Sequence, residues 1–242
     1  MSDGQPMQPG RTPSGAAAAP RCEVVVLSTL HQHHARVPGY DNAELARIVE
    51  WLQPDVLALE LDERDIAGRV PQNVKQEYQN SIYPLLDRLC CVTLPLEPPR
   101  PHPMRDRAQQ AQADFRPETH AAAAFFATYI GELISHLLES WQCAADVNSA
   151  QTDAMLAVKH RFQNAIAPAN HAASWEEWNQ FFLERIVQAV RSSPGKRVVA
   201  TVGVEHAYWL RARLSREWGV ELLDTELLLR QESRSGDGKI PP

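Results

Sequence analysis

Glu23-Val24-Val25-Val26-Leu27-Ser28, followed at once by Thr29-Leu30-His31, is the stretch that decides the fold. Three valines and a leucine in a short, nearly continuous apolar run predict a parallel strand covered on both faces. The segment Thr29 to Tyr40 holds His31, His33, His34 and a Pro38-Gly39 turn signal, so a loop follows the strand. Asp41 or Asn42 then caps a helix whose apolar positions, Leu45, Ile48, Val49 and Leu52, recur at helical spacing. Pro54 stops that helix, and Asp55-Val56-Leu57-Ala58-Leu59-Glu60 reads as a second strand. Strand, helix and strand in this order make a βαβ unit.

Working outward, Tyr78, Ile82, Leu85, Leu86 and Leu89 predict a helix from Val74 to Leu89. Cys91 to Leu96 reads as a third strand that ends early, because Pro95 lacks a donor for the ladder. Glu97 to Pro103 is rich in proline and predicts a shaped loop beside the sheet. Helical spacing resumes from Pro117 to about Ala145, with an apolar band running from Phe125 to Leu138. A further helix is expected from Thr152 to Ile166. Ser174 with Glu177 makes a capping box for a helix from Trp175 to Val190, in which Trp175, Trp178, Phe181 and Phe182 are expected to be core. Strands return with Arg197 to Val202 and Val220 to Leu223, joined by a helix from Glu205 to Trp218. The fold class is therefore α/β, a largely parallel sheet with flanking helices and a mostly helical middle segment.

The chain has 242 residues, enough for one domain with a large core. Residues 1–20, rich in Gly, Pro, Ser and Ala, are expected to be a disordered leader. The domain covers 21–232 with a helical insertion at about 117–190, and 233–242 form a flexible tail. A formal net charge of -6 without a concentrated basic stripe argues against nucleic acid as a partner. The leader lacks the apolar core of a secretory signal, and no stretch reads as the roughly 18 apolar residues of a membrane span. Cys22, Cys90, Cys91 and Cys143 show neither metal-ligand spacing nor a disulfide framework. Ordinary buried thiols in a reducing, cytoplasmic setting are the expectation.

In a parallel sheet, the loops after the strands share the carboxyl edge, where ligand crevices form. His31 follows the first strand, Glu60 closes the second, Glu97 follows the third and His206 follows the late strand. Each histidine stands three residues after a small residue, Ser28 or Gly203, which permits a close turn. Gly203 also has access to backbone conformations closed to bulkier residues, and the next helix starts with unpaired N–H groups beside His206.

Three segments, Val24 to His31, Pro54 to Arg64 and Val198 to His206, resemble the TraB, GumN and Tiki group, within a wider set that includes ChaN-like and erythromycin-esterase-like proteins. The family's first Gly-x-x-His motif stands here as Ser28-x-x-His31, its strand-end glutamate as Glu60 and its second Gly-x-x-His motif as Gly203-x-x-His206. An interior arginine motif matches Glu184-Arg185. The resemblance implies an α/β fold with these residues in one cleft. Its Tiki branch implies a divalent-metal protease, its esterase-like branch a metal-independent hydrolase with histidine as base, and its ChaN-like branch haem binding.

Each candidate residue has two readings. His31, Glu60 and His206 would hold Mn²⁺, Co²⁺ or Zn²⁺, or supply a base, against ordinary loop groups satisfied by the backbone or solvent. Glu97 would assist proton transfer, or be solvated in its loop. Arg64 and Arg185 would bind an anionic substrate group, or neutralise Glu63 and Glu184. Tyr208 would border the pocket, or pack, and His33 and His34 would add metal ligands, or lie in a solvated loop, which is the expectation. The expectation is a hydrolase acting on a carbonyl-containing small molecule or peptide. The alternative is a binding module for a small ligand, metal or haem, with homo-oligomer formation through the Phe125 to Leu138 band a third role.

Overall fold

The computed structural model describes residues 20–235. The leader and most of the tail lie outside them. Strand β1 (Cys22–Thr29) runs through a 3-10 turn, His31–Arg36, into helix α1 (Asn42–Leu52) and strand β2 (Val56–Leu59). Asp41 caps α1 by accepting from the Glu44 N–H at 2.8 Å. Next come α2 (Glu63–Gly68), a π-helical turn at Tyr78–Ile82, α3 (Tyr83–Leu86) and β3 (Val92–Pro95). The helical cover comes next as α4 (Pro103–Asp114), α5 (Ala121–Ser140), α6 (Ala144–Val147), α7 (Ala150–Ile166) and α8 (Ala169–Ser192). The chain then forms β4 (Arg197–Gly203), α9 (Val204–Leu214), β5 (Val220–Leu222) and α10 (Thr225–Ser235).

All five strands are parallel, in the order β3-β2-β4-β1-β5. Strand β4 is thus inserted between β1 and β2, with Ala200 opposite both Val26 and Ala58. Alternation along the strands divides the core into two layers. Val25, Leu27, Leu57, Leu59 and Val199 face α1, α6 and the π-helical turn, while Val24, Val26, Ala58, Val198 and Ala200 face α8 and α9. Burial on both faces explains why the strands read as continuous apolar runs.

Several sequence expectations change. The helix predicted from Val74 shrinks to a π-helical turn and one α turn. The helical cover begins at Pro103 rather than about 117, because Pro103 occupies the first turn of α4 and opens it; proline at a helix start costs no hydrogen bond. Helix α4 buries only Met104 and Ala111, so its sequence carries little amphipathic signal. Helix α8 starts at Ala169, and Ser174 is a buried interior residue rather than a cap. Helix α10 reaches Ser235 and takes in the start of the expected tail. Among the described residues, α5 is the one helix long and apolar enough to cross a membrane, with a mean hydropathy of 1.4 over its best window, a length the sequence reading missed because Glu132, His136 and Glu139 interrupt it. Its apolar band is divided: Phe126, Leu137 and Leu138 are buried, whereas Phe125 is 66% exposed. The four cysteines are free, but Cys90 is exposed and only Cys22 is buried.

Candidate active site at the carboxyl edge

The strand order brings the ends of β1, β4 and β2 side by side, and with them His31, Gly203 and Glu60. Gly203 has an ordinary extended backbone, φ -52 and ψ 140, so conformational freedom is not why glycine stands there. A Cβ at this position would lie 2.7 Å from His31 Nε2, closer than real atoms approach, and 3.4 Å from Glu60 Oε2. Glycine is required because an imidazole rests on its backbone. The Gly203 N–H donates to Glu60 Oε2 at 2.5 Å.

His31 itself has φ 53, the left-handed region, at the start of the 3-10 turn. For a non-glycine residue this costs on the order of 1–2 kcal/mol, a strain that gathers at functional sites. The conformation turns the ring back onto the sheet, where Nδ1 meets Glu77 Oε1 at 2.8 Å. Glu77 is fully buried beside the π-helical turn, and its Oε1 also accepts from Thr29 Oγ1 at 2.9 Å. Burial disfavours a charged His31. The Glu77 hydrogen bond and the negative charges of Glu60 and Glu77 outweigh it, and the His31 pKa is raised above its ordinary 6.5.

His206 lies in the first turn of α9, and its Nδ1 is 2.9 Å from Asn179 Oδ1 on α8. The Asn179 amide nitrogen donates to the Trp175 carbonyl at 2.8 Å, which fixes Oδ1 toward the imidazole. His206 therefore donates from Nδ1 and leaves the Nε2 lone pair free. Burial is the main influence on this ring, joined by repulsion from Lys75 and His31. Together they overcome the pull of Glu60 and Glu205, and the His206 pKa is lowered. The side chains of His31 and His206 remain 24% and 18% exposed, so both reach the cleft.

Glu60 sits between them. Its Oε1 is 2.9 Å from Lys75 Nζ and 3.9 Å from His206 Nε2. Burial alone would raise its pKa, but Lys75, both histidines and the Gly203 N–H hold the carboxyl well below the usual range. Lys75 also donates to the Glu60 carbonyl at 2.8 Å and pairs with Glu97, which in turn pairs with Arg105 at 2.8 Å. Glu97 thus lines the cleft as a partner of two cations.

Two chambers meet at Glu205 and His206. One, of about 380 Å³, is polar and is lined by Lys159, His160, Gln163, Ser174 and Trp175 among others; the other, of about 270 Å³, is mainly apolar and opens on His31. Glu205 pairs with Lys159 at 2.9 Å and lies 3.5 Å from His160. Despite burial, those two neighbours lower its pKa. Trp175 stacks nearly parallel to His206, with 7° between planes and 6.1 Å between centroids. Trp175 and Trp178, expected in the core, are only partly buried and line the polar chamber.

The remaining candidates lie elsewhere. Arg64 is exposed on α2 and lines neither chamber; Arg100 and Arg105 are the guanidinium groups on Asp62. Arg185 donates to the Pro95 carbonyl at 3.2 Å and braces the end of β3. Tyr208 stacks on His160, with ring centroids 5.5 Å apart, behind the chamber wall. His34, expected in a solvated loop, is buried: Nδ1 contacts the Tyr40 carbonyl at 2.8 Å and Nε2 accepts the Leu30 N–H at 3.0 Å.

A divalent metal or haem is the cofactor expected from the sequence. Among the described residues no group of three His, Cys, Asp or Glu side chains is arranged to hold a metal ion. Lys75 stands where a cation on Glu60 would stand. No protein-family model matches the sequence, and no curated protein or solved structure is significantly similar to it.

Proposed function

We propose that the cleft is the active site of a hydrolase that cleaves a carbonyl compound, an ester or amide, with paired histidines. The observation carrying this reading is that each imidazole has its Nδ1 held by a buried side chain while its Nε2 makes no hydrogen bond among the described residues, and both rings line the shared cleft. Opposite pKa directions for His31 and His206 support a division into acid and base. In this scheme His206 Nε2 takes a proton from water as its oxygen attacks the carbonyl carbon. His31, protonated, donates from Nε2 to the developing oxyanion. His206 then returns the proton to the departing alcohol or amine, leaving acid and leaving group as products. Glu77 and Asn179 hold the two rings in position, and Lys75 keeps Glu60 ionised beside them.

The metal-independent hydrolase with histidine as base is also what the esterase-like members of the resembling set imply, while its Tiki members imply the metal-dependent alternative. The four free thiols suit a reducing, cytoplasmic compartment. The test is hydrolysis of activated esters and peptides by the full chain and by His206→Ala, with metal content measured on protein purified without a metal column and after incubation with Mn²⁺, Co²⁺ or Zn²⁺. Turnover that persists in chelator and disappears with His206→Ala supports the histidine scheme. Near-stoichiometric metal, lost with His206→Ala and needed for turnover, would replace it with the metal-dependent one. Saturable binding without product would make the protein a binding module.

A further inference from the structure

The two chambers differ in chemistry, and the apolar one is continuous with the histidine pair. Its walls are Leu30 after β1, Val74, Ile134 and Leu138 on α5, Trp141 and Val204. His31, Gly203 and His206 line it, and His206 also lines the polar chamber, so a carbonyl held at His206 carries one substituent into this chamber and the other toward Lys159 and Gln163. Val74 is 55% exposed at the rim, which leaves the chamber open to solvent.

We propose that this chamber holds the acyl side of the substrate, an unbranched or lightly branched aliphatic chain of medium length. The chemistry of the walls selects the class: six apolar side chains supply most of the surface, Thr29, Gln32 and His33 add neutral polar groups on one side, and the one carboxylate, Glu205, stands at the junction with the neighbouring chamber. Size sets the length. At roughly 30 Å³ for each water-sized group, about 270 Å³ accommodates about nine groups including the carbonyl. Chains of six to eight carbons, as an order-of-magnitude figure from that volume, fill it, and chains beyond about ten carbons project past Val74 into water. The polar chamber receives the alcohol or amine side, which leaves as a hydrogen-bonding group.

The proposal rests on the hydrolase reading for turnover but not for binding, and the experiment separates the two. Straight-chain primary amides from acetamide to decanamide are titrated calorimetrically into the full chain, alongside hydrolysis of a matching series of p-nitrophenyl esters. Affinity is expected to rise about fourfold per added methylene up to about eight carbons, since each buried CH₂ contributes about 0.8 kcal/mol, and then to level off. Ile134→Trp, which fills the chamber, is expected to weaken octanamide binding at least tenfold and leave acetamide unchanged. Val74→Trp at the exposed rim gives a second variant in which folding is not at stake. Affinity independent of chain length, or octanamide binding undiminished in both variants, overturns the proposal. Ester turnover without chain-length preference overturns the chamber assignment and leaves the hydrolase standing. Length-dependent amide binding without any turnover supports the chamber and removes the hydrolase.

Discussion

The two histidine turns follow parallel strands that lie side by side, yet the pKa values of their rings are displaced in opposite directions. His31 sits in a strained left-handed conformation with Nδ1 on Glu77, a fully buried carboxylate whose Oε2 has no partner among the described residues. His206 sits in an unstrained helical first turn with Nδ1 on the neutral Asn179 amide. One ring gains a proton partner and the other does not. The residue type supplies the chemistry, but the surroundings of each ring set the direction of its shift: the Glu77 hydrogen bond and the Glu60 and Glu77 charges overcome burial at His31, whereas burial prevails at His206.

The largest expected effect comes from removing the base. His206→Ala should lower kcat/KM by about 10³-fold, within the range for general base catalysis, in steady-state assays with the best ester of the series. His31→Gln keeps a hydrogen-bond donor but no charge. A loss of about 10²-fold is expected, and the alkaline limb of the pH–rate profile should vanish while the acid limb stays. That profile should be a broad bell. Activity falls below 6.5 as His206 gains a proton and falls above 6.5 as His31 loses one, because the two pKa values are displaced in those directions. A single-sided profile would mean that only one ring titrates in the reaction.

Asn179→Leu has a smaller effect that tests the neutral side of the comparison. It should cost about tenfold in kcat and move the acid limb, since the proton on Nδ1 loses its acceptor. Loss of activity with an unmoved acid limb would show Asn179 to be structural only. Glu60→Gln affects stability more than chemistry. Lys75 would keep Glu97 but lose its nearest buried partner, at a cost of about 3 kcal/mol by urea denaturation at neutral pH.

Glu60 and His31 also give opposite pH signatures of stability. The carboxyl of Glu60 is depressed below its ordinary 4.5, so its contribution is full above that pH and is lost as the pH falls below it. The His31 pKa is raised above 6.5, so its contribution is full below that value and is lost as the pH rises through the folded-state pKa. Urea midpoints should therefore be highest near pH 5 to 6 on both counts. The acid-side decline should flatten in Glu60→Gln.

The strands and the edge they share were legible in the sequence because parallel strands buried on both faces leave continuous apolar runs, and the residues just after such a run lie at the carboxyl edge. That logic located His31, Glu60, Glu97 and His206. It missed Glu77, Lys75 and Asn179, which place the rings. Glu77 and Lys75 precede a π-helical turn whose rotation no simple periodicity encodes, and Asn179 lies inside a helix that begins earlier than its capping signal suggests. The pairing of β4 between β1 and β2 was likewise invisible, since strand order depends on contacts distant in sequence. Arg64 matched by position alone, and its helix turns it to solvent.

The most direct measurement is an NMR titration of the histidine Cε1–Hε1 resonances, assigned with His31→Gln and His206→Ala, in the full chain without substrate. His31 should titrate above 6.5 and His206 below it, and in Asn179→Leu the His206 value should move while His31 stays. Two rings titrating together near 6.5, or in the reverse order, would contradict the assignment of acid and base.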